Sequence, residues 1–245
     1  MTAALEQPGV HPEAKVDLFV AGRMLGGMKA WKVFLGATGL LLVGQLHAVE
    51  AQKLTAYERS QGWRYLFDGQ SVSEWRGYRQ NRLPANWQVV EGSLTSSGGT
   101  ALTSVEDFKD FEFVFDWKVG AGGSAVVYFR AAEDAAEPGD SGSVMQLAGE
   151  GVAMGGNGGL NAPWREITLQ PDVWYRAKIL VFGNQVEHWI NGDRVLSYLI
   201  DSSEWRTAVA GSRYKALKDF GLLGSGRIVL AGSGVVFRNI KIKPL

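Results

Sequence analysis

Residues 111–119 read FEFVFDWKV, so Phe111, Phe113, Phe115, Trp117 and Val119 alternate with Glu112, Val114, Asp116 and Lys118. Alternation with a period of two means a strand with one face in a core. The same reading along the chain predicts strands at Arg64–Phe67, Trp87–Val90, Ala101–Thr103, Phe111–Val119, Ser124–Ala131, Val144–Leu147, Trp174–Phe182, Gln185–Ile190, Arg194–Ile200, Arg227–Leu230 and Val235–Lys243. Gly183-Asn184 and Asn191-Gly192 separate consecutive strands as two-residue turns, which makes Trp174–Ile200 a three-stranded meander. One stretch, Ser203–Ala210, has a helical pattern, with Ser202 or Ser203 as its N-cap. Short strands, glycine turns and no βα alternation predict an all-β sandwich, and the lack of an internal repeat argues against a propeller or solenoid. The stretches Glu133–Gly142 and Gly149–Gly159 read as loops, either plain surface connections or walls of a binding surface.

The first fifty residues carry a different pattern. Residues 28–51 combine two lysines, an apolar run from Val33 to Leu46 and small residues at Ala48, Val49 and Ala51. That is the layout of a secretory signal peptide cleaved after Ala48 or Ala51, and it predicts a secreted or periplasmic protein. The run is short for a bilayer span, which takes roughly 20 residues, so no stable membrane span is expected after cleavage; an uncleaved signal acting as a membrane anchor is the alternative. Residues 1–27 show no core-forming pattern and read as unstructured or as an upstream start, with translation beginning at Met24 or Met28. Residues 52–61 form a polar leader, and 62–245 the folded domain.

Composition narrows the chemistry. The chain has no cysteine, which removes disulfides, thiolate metal sites and cysteine nucleophiles. Its 25 Lys+Arg against 25 Asp+Glu leave no net charge, so no nucleic-acid partner is expected. Of three histidines, His11 and His47 precede residue 52, leaving His188 alone in the domain. A three-histidine zinc site is thereby excluded, and any Ser-His-acid triad must use His188. Glu112 and Asp116 share one strand face but lie roughly 13 Å apart along it, beyond the roughly 5–9.5 Å that paired-carboxylate hydrolysis uses. The residues themselves point to no metal and no cofactor.

Several segments together carry a resemblance: LFDGQSVSEWRGY, NWQVVEGSL, DFEFVFDWKV, NQVEHWINGDRVLSYLIDSSEW and the closing GVVFRNIKIKPL. From Gly62 to Leu245 the chain resembles the 3-keto-disaccharide hydrolase domain family. The resemblance implies a concanavalin-like jelly roll of two stacked antiparallel sheets, export, a glycoside substrate oxidised at C3, hydrolysis or elimination at the glycosidic bond, and a divalent cation as the one possible cofactor. Four elements depart from the family pattern. The NSGI-x-x-R strand appears as Ser124-Ala125-Val126-Val127-Tyr128-Phe129-Arg130, the E-[MV]-Q element as Val144-Met145-Gln146, the tryptophan–asparagine pair as Trp174-Tyr175, and LQDHG as Leu230-Ala231-Gly232-Ser233-Gly234. The polar residues of the family site are thus lost or rebuilt in this copy.

Six residues remain as candidates. His188 and Glu187 are the catalytic ones, His188 as a base or a packed structural histidine, and Glu187 as half of a sugar-facing pair with Trp189. Arg130 and Gln146, the polar residues surviving in altered elements, are candidate contacts for substrate hydroxyls. Trp164 and Trp189 are candidate stacking platforms, Trp164 because it sits in a loop beside Pro163. The leading expectation is an exported glycoside-active enzyme; the alternative is a non-catalytic carbohydrate-binding or surface-interaction module on the same scaffold.

Overall fold

The computed structural model describes residues 51–245. The opening segment 1–27 and the signal-like segment 28–51, apart from its last residue, lie outside the described residues. A short helix α1 (Ala56–Ser60) precedes β1 (Arg64–Phe67), β2 (Trp75–Gly77), β3 (Trp87–Val90), β4 (Ser93–Ser97), β5 (Leu102–Ser104), β6 (Phe111–Ala131), β7 (Ser143–Ala148), β8 (Tyr175–Phe182), β9 (Gln185–Ile190), β10 (Asp193–Leu199), α2 (Ser203–Ala210) and β11 (Arg227–Pro244). The leader therefore holds a helix that its polarity alone did not announce. Thr55 caps it, accepting from the Glu58 backbone while the Glu58 carboxylate accepts from Thr55, so two orphan donors are satisfied reciprocally. Ser202 caps α2 in the expected way, accepting from the Trp205 N–H at 3.1 Å.

The strands form a jelly-roll sandwich, antiparallel throughout. One layer runs β10–β9–β8, then the first half of β6, then the second half of β11, with β1 and the β4–β3 pair beyond it. The other runs β7, the second half of β6, the first half of β11, β5 and β2. The meander is β8–β9–β10, and Asn191 (φ 51°) and Gly192 (φ 89°) take the left-handed conformations its second hairpin turn requires.

Strands β6 and β11 each pass through both layers, where the sequence pattern breaks each of them in two. The segment Gly120-Ala121-Gly122-Gly123 and the pair Gly232 and Gly234 do not end pairing: Val119 faces Val235 and Ser124 faces Ser233 across the junction. The two backbones approach so closely there that a Cβ at Gly232 would stand 2.1 Å from the Ser124 carbonyl oxygen, and one at Gly123 would stand 2.7 Å from that of Ser233. Side chains would force the strands apart, and their absence lets both strands bend from one layer into the next.

Between the layers lie the alternating residues of 111–119, with Phe111, Phe113, Phe115 and Trp117 fully buried, together with Phe129, Met145 and Phe237. Each such side chain contributes about 1.5–3 kcal/mol on burial. Strands β2 and β4 escape the sequence pattern, β2 because three residues show no period and β4 because SLTSS is polar. Ser96 in β4 is nonetheless buried, its hydroxyl donating to the Gly232 carbonyl at 2.8 Å.

Candidate functional site

Register decides which residues leave the core on the layer that contains β7. Val127 and Phe129 of β6 point inward, so Val126 and Tyr128 point outward. Pairing then lays down two rows on the outer face: Gln146, Val126 and Ala231 in one, and Val144, Tyr128, Val229 and Thr103 in the next. Three of the four elements that depart from the family pattern thus lie side by side. The fourth lies in the other layer, where Tyr175 stacks on Trp117 at 5.4 Å.

Two cavities open over these rows. One of about 480 Å³ is lined by Tyr78, Tyr128, Glu137, Pro138 and Ala231 among others. The second, about 260 Å³, is lined by Gln146, Asn161, Arg213 and the backbone of Gly156 and Gly158. The loop 132–141 walls the first cavity. The Tyr78 hydroxyl donates to the Ala132 carbonyl at 2.6 Å, Arg76 pairs with Glu133, and the Ala132 N–H donates to Ser141 Oγ at 2.9 Å. The glycine-rich loop walls the second cavity. It exchanges backbone hydrogen bonds with Gln146 through Gly155 and Gly156, and the Tyr214 hydroxyl donates to the Gly158 carbonyl at 3.2 Å. Burial raises the hydroxyl pKa of Tyr128 and pushes that of Tyr78 up to about 12, so both remain protonated donors. Of the residues lining the two cavities, Glu137 is the one carboxylate.

The six sequence candidates separate in space. Gln146 reaches the second cavity, together with Arg213. His188 is fully buried on the core side of β9, its Nδ1–H donating to the Gly155 carbonyl at 2.8 Å and its Nε2 3.5 Å from the Tyr198 hydroxyl. Burial holds its pKa down to about 4, so the ring is neutral and braces the glycine-rich wall from behind. Glu187 and Trp189 do share the opposite face of β9, and neither lines the two cavities. There the Glu187 carboxylate accepts from Trp189 Nε1 at 2.9 Å and Arg194 at 2.7 Å, and Lys178 lies 4.0 Å over the Trp189 ring. Trp164 joins this cluster through Arg194, 5.3 Å from its ring, and is 60% exposed.

Arg130 differs most from its strand parity. Two β6 residues stand where β11 offers one between the Arg227–Ala131 and Val229–Tyr128 pairs, and Arg130 takes φ 49° in that bulge. The bulge turns its guanidinium to Asp110 at 3.0 Å and to the carbonyls of Lys109 at 2.8 Å and Gly183 at 3.0 Å. Glu112 is engaged by Lys243 at 3.1 Å and Asp116 by Arg176 at 2.8 Å, so both acids of that strand are held in ion pairs. Tyr128, Glu137 and Arg213 were not among the sequence candidates. Parity with Val126 was a usable signal for Tyr128, whereas the other two sit in loops that have no period.

The divalent cation implied by the resemblance does not fit the donors present. Among the described residues no group of three or more His, Asp or Glu side chains is placed to hold a metal, and the one histidine spends Nδ1 on Gly155.

Residues 62–243 match the profile of the 3-keto-alpha-glucoside-1,2-lyase-like domain. A protein of Bacteroides thetaiotaomicron named 3-keto-disaccharide hydrolase is 27% identical over 244 residues, covering 82% of this chain and 84% of that one. A crystal structure from Parabacteroides distasonis, described provisionally as a glycosyl hydrolase, superposes with a TM-score of 0.74 at 26% identity, covering 80% of this chain and 100% of that one. A second structure of that description and organism reaches a TM-score of 0.58 at 20% identity over 75% of this chain and 99% of that one, a likeness of fold alone.

Proposed function

This chain belongs to the family of 3-keto-alpha-glucoside-1,2-lyase-like domains, and from that premise we propose that it binds a glycoside along the outer face of β7, β6 and β11 without hydrolysing it. The observation that carries this reading is the row Gln146, Val126 and Ala231, with Val144 beside it, at the floor of the two cavities. Gln146, Tyr128 and Arg213 supply donors for sugar hydroxyls, and the apolar floor suits the C–H face of a pyranose ring. Paired-acid hydrolysis takes two carboxylates, and Glu137 is the one that lines the cavities; the neighbouring Asp140 carboxylate is engaged in accepting from the Glu137 N–H at 3.0 Å.

Titration calorimetry with methyl β-glucoside, its 3-keto form and 3-keto-trehalose tests the proposal. Saturable binding of one of them is expected, weakened about tenfold, or ~1.4 kcal/mol, by Gln146→Ala, with no sugar released in the presence or absence of divalent cation. Failure to bind any of the three sinks it.

A second reading, cleavage of a 3-keto glycosidic bond, has its own support. A ketone at C3 acidifies the C2–H, so elimination of the group at C1 requires one base rather than two acids. Glu137 and Tyr128 line a common cavity as base and proton donor. Release of aglycone that Glu137→Gln abolishes would establish this reading in place of the first.

The export signal read at residues 28–51 supports action outside the cytoplasm. No helix among the described residues is long and apolar enough to cross a membrane. Expressed in a bacterial host from Met28, the protein is expected in the periplasm or medium with its N-terminus at Val49 or Gln52. N-terminal sequencing checks this, and an uncleaved product in the membrane fraction would favour the anchored alternative.

A further inference from the structure

The two cavities of the sugar site carry a charge that a neutral glycoside leaves unmet. Most of the described arginines are held by a carboxylate within 4 Å, as Arg64 is by Glu74 and Arg194 by Glu187. Arg79 and Arg213 are not, and they line the first and second cavities respectively. Glu137 opposes them from the first cavity, so two cations and one carboxylate leave a single positive charge in excess.

That excess lies in the second cavity. Its other lining residues are Gln146, Asn161, glycines and alanines, none of them ionised, and Glu166 belongs to the adjoining space beyond Gly151 and Ala162. Arg213 is also positioned before any ligand arrives. Tyr198, Trp205, Phe220 and Tyr214 stack one on the next, with ring centroids 5.6, 6.1 and 4.0 Å apart, and the Arg213 guanidinium lies 4.7 Å from the centre of the last ring. It donates to the Tyr214 hydroxyl at 2.6 Å, which donates in turn to the Gly158 carbonyl. One donor of the fork is engaged in this way, and the others have no acceptor among the described residues.

Resting on the glycoside reading of these cavities, we propose that the bound sugar is a hexuronic acid whose C6 carboxylate is received by Arg213. A planar carboxylate matches the guanidinium fork, and its one negative charge equals the excess. A phosphate ester would bring about −1.5 to −2 charges to a site with one to neutralise. Placement at Arg213 also keeps the carboxylate out of the cavity lined by Glu137, where like charges repel.

Calorimetry with methyl β-glucoside, methyl β-glucuronide and methyl β-glucoside 6-phosphate tests the assignment. The glucuronide is expected to bind about fivefold more tightly than the glucoside, the order that an exposed ion pair supplies, and more tightly than the 6-phosphate. Arg213→Gln should bring the glucuronide-to-glucoside ratio to within twofold, whereas Gln146→Ala should weaken both and keep the ratio. Equal affinity for glucuronide and glucoside in the unaltered protein would overturn the inference while leaving the sugar site standing. Tighter binding of the 6-phosphate would overturn the carboxylate, and a ratio unchanged in Arg213→Gln would overturn its placement. Absence of binding by all three would remove the sugar site and this inference with it.

Discussion

Arg130→Ala is expected to destabilise the domain by about 3–5 kcal/mol while leaving glycoside affinity within twofold, measured under conditions where the variant is folded. The side chain is 5% exposed and Asp110, its partner, 17%. Removing the cation leaves that carboxylate inside, together with the Lys109 and Gly183 carbonyls that had accepted from it. The Gly183 N–H would still donate to Asp110 at 2.9 Å, so the carboxylate keeps one partner and the hairpin turn before β9 loses its tie to the cation. Denaturant unfolding measures the loss and calorimetry the affinity. A variant of unchanged stability that no longer bound glycoside would make Arg130 a ligand contact after all.

The second large effect is expected at Gly232. Gly232→Ala should cost about 3 kcal/mol, combining strain at φ 150° with overpacking against backbone. The new methyl would meet the Ser124 carbonyl oxygen at 2.1 Å and Ala125 Cα at 2.9 Å, atoms fixed by the β6–β11 pairing. Gly122→Ala is the matched control. It too has positive φ, but nothing lies within 4 Å of its added carbon, so it should lose about 1 kcal/mol. Equal losses in the two variants, read from thermal unfolding, would show that the close approach of the strands contributes nothing.

The sequence showed most plainly those elements whose stability is local. The bounds of β1, β3, β9 and α2 follow from alternation, turn residues and a serine cap, and the meander from its two turns. What it hid depends on contacts distant in the chain. The glycines at 120–123 read as a break because their partner, more than a hundred residues later, is invisible to a local pattern. Arg130 lies two residues after Tyr128 and by parity belongs on the cavity face, yet one inserted residue reverses its direction. The floor of the candidate site was legible as missing polarity at Val144 and Ala231, since residues two apart on a strand share a face. Its rim was not. Glu137 and Arg213 arrive from loops whose course is set by Tyr78, Glu133 and Tyr214, and no spacing announces them.

Strand β11 is the last of the described strands to be synthesised, and it pairs with β1, β4, β5 and β6. Neither layer has its middle until those residues leave the ribosome, so the earlier strands wait with their pairing edges open. Assembly of this kind, dominated by distant contacts, is slow, on the order of milliseconds to seconds. The topology that delays folding thus lengthens the time for which strands with unpaired edges stand open to other chains, the interval in which aggregation competes with folding.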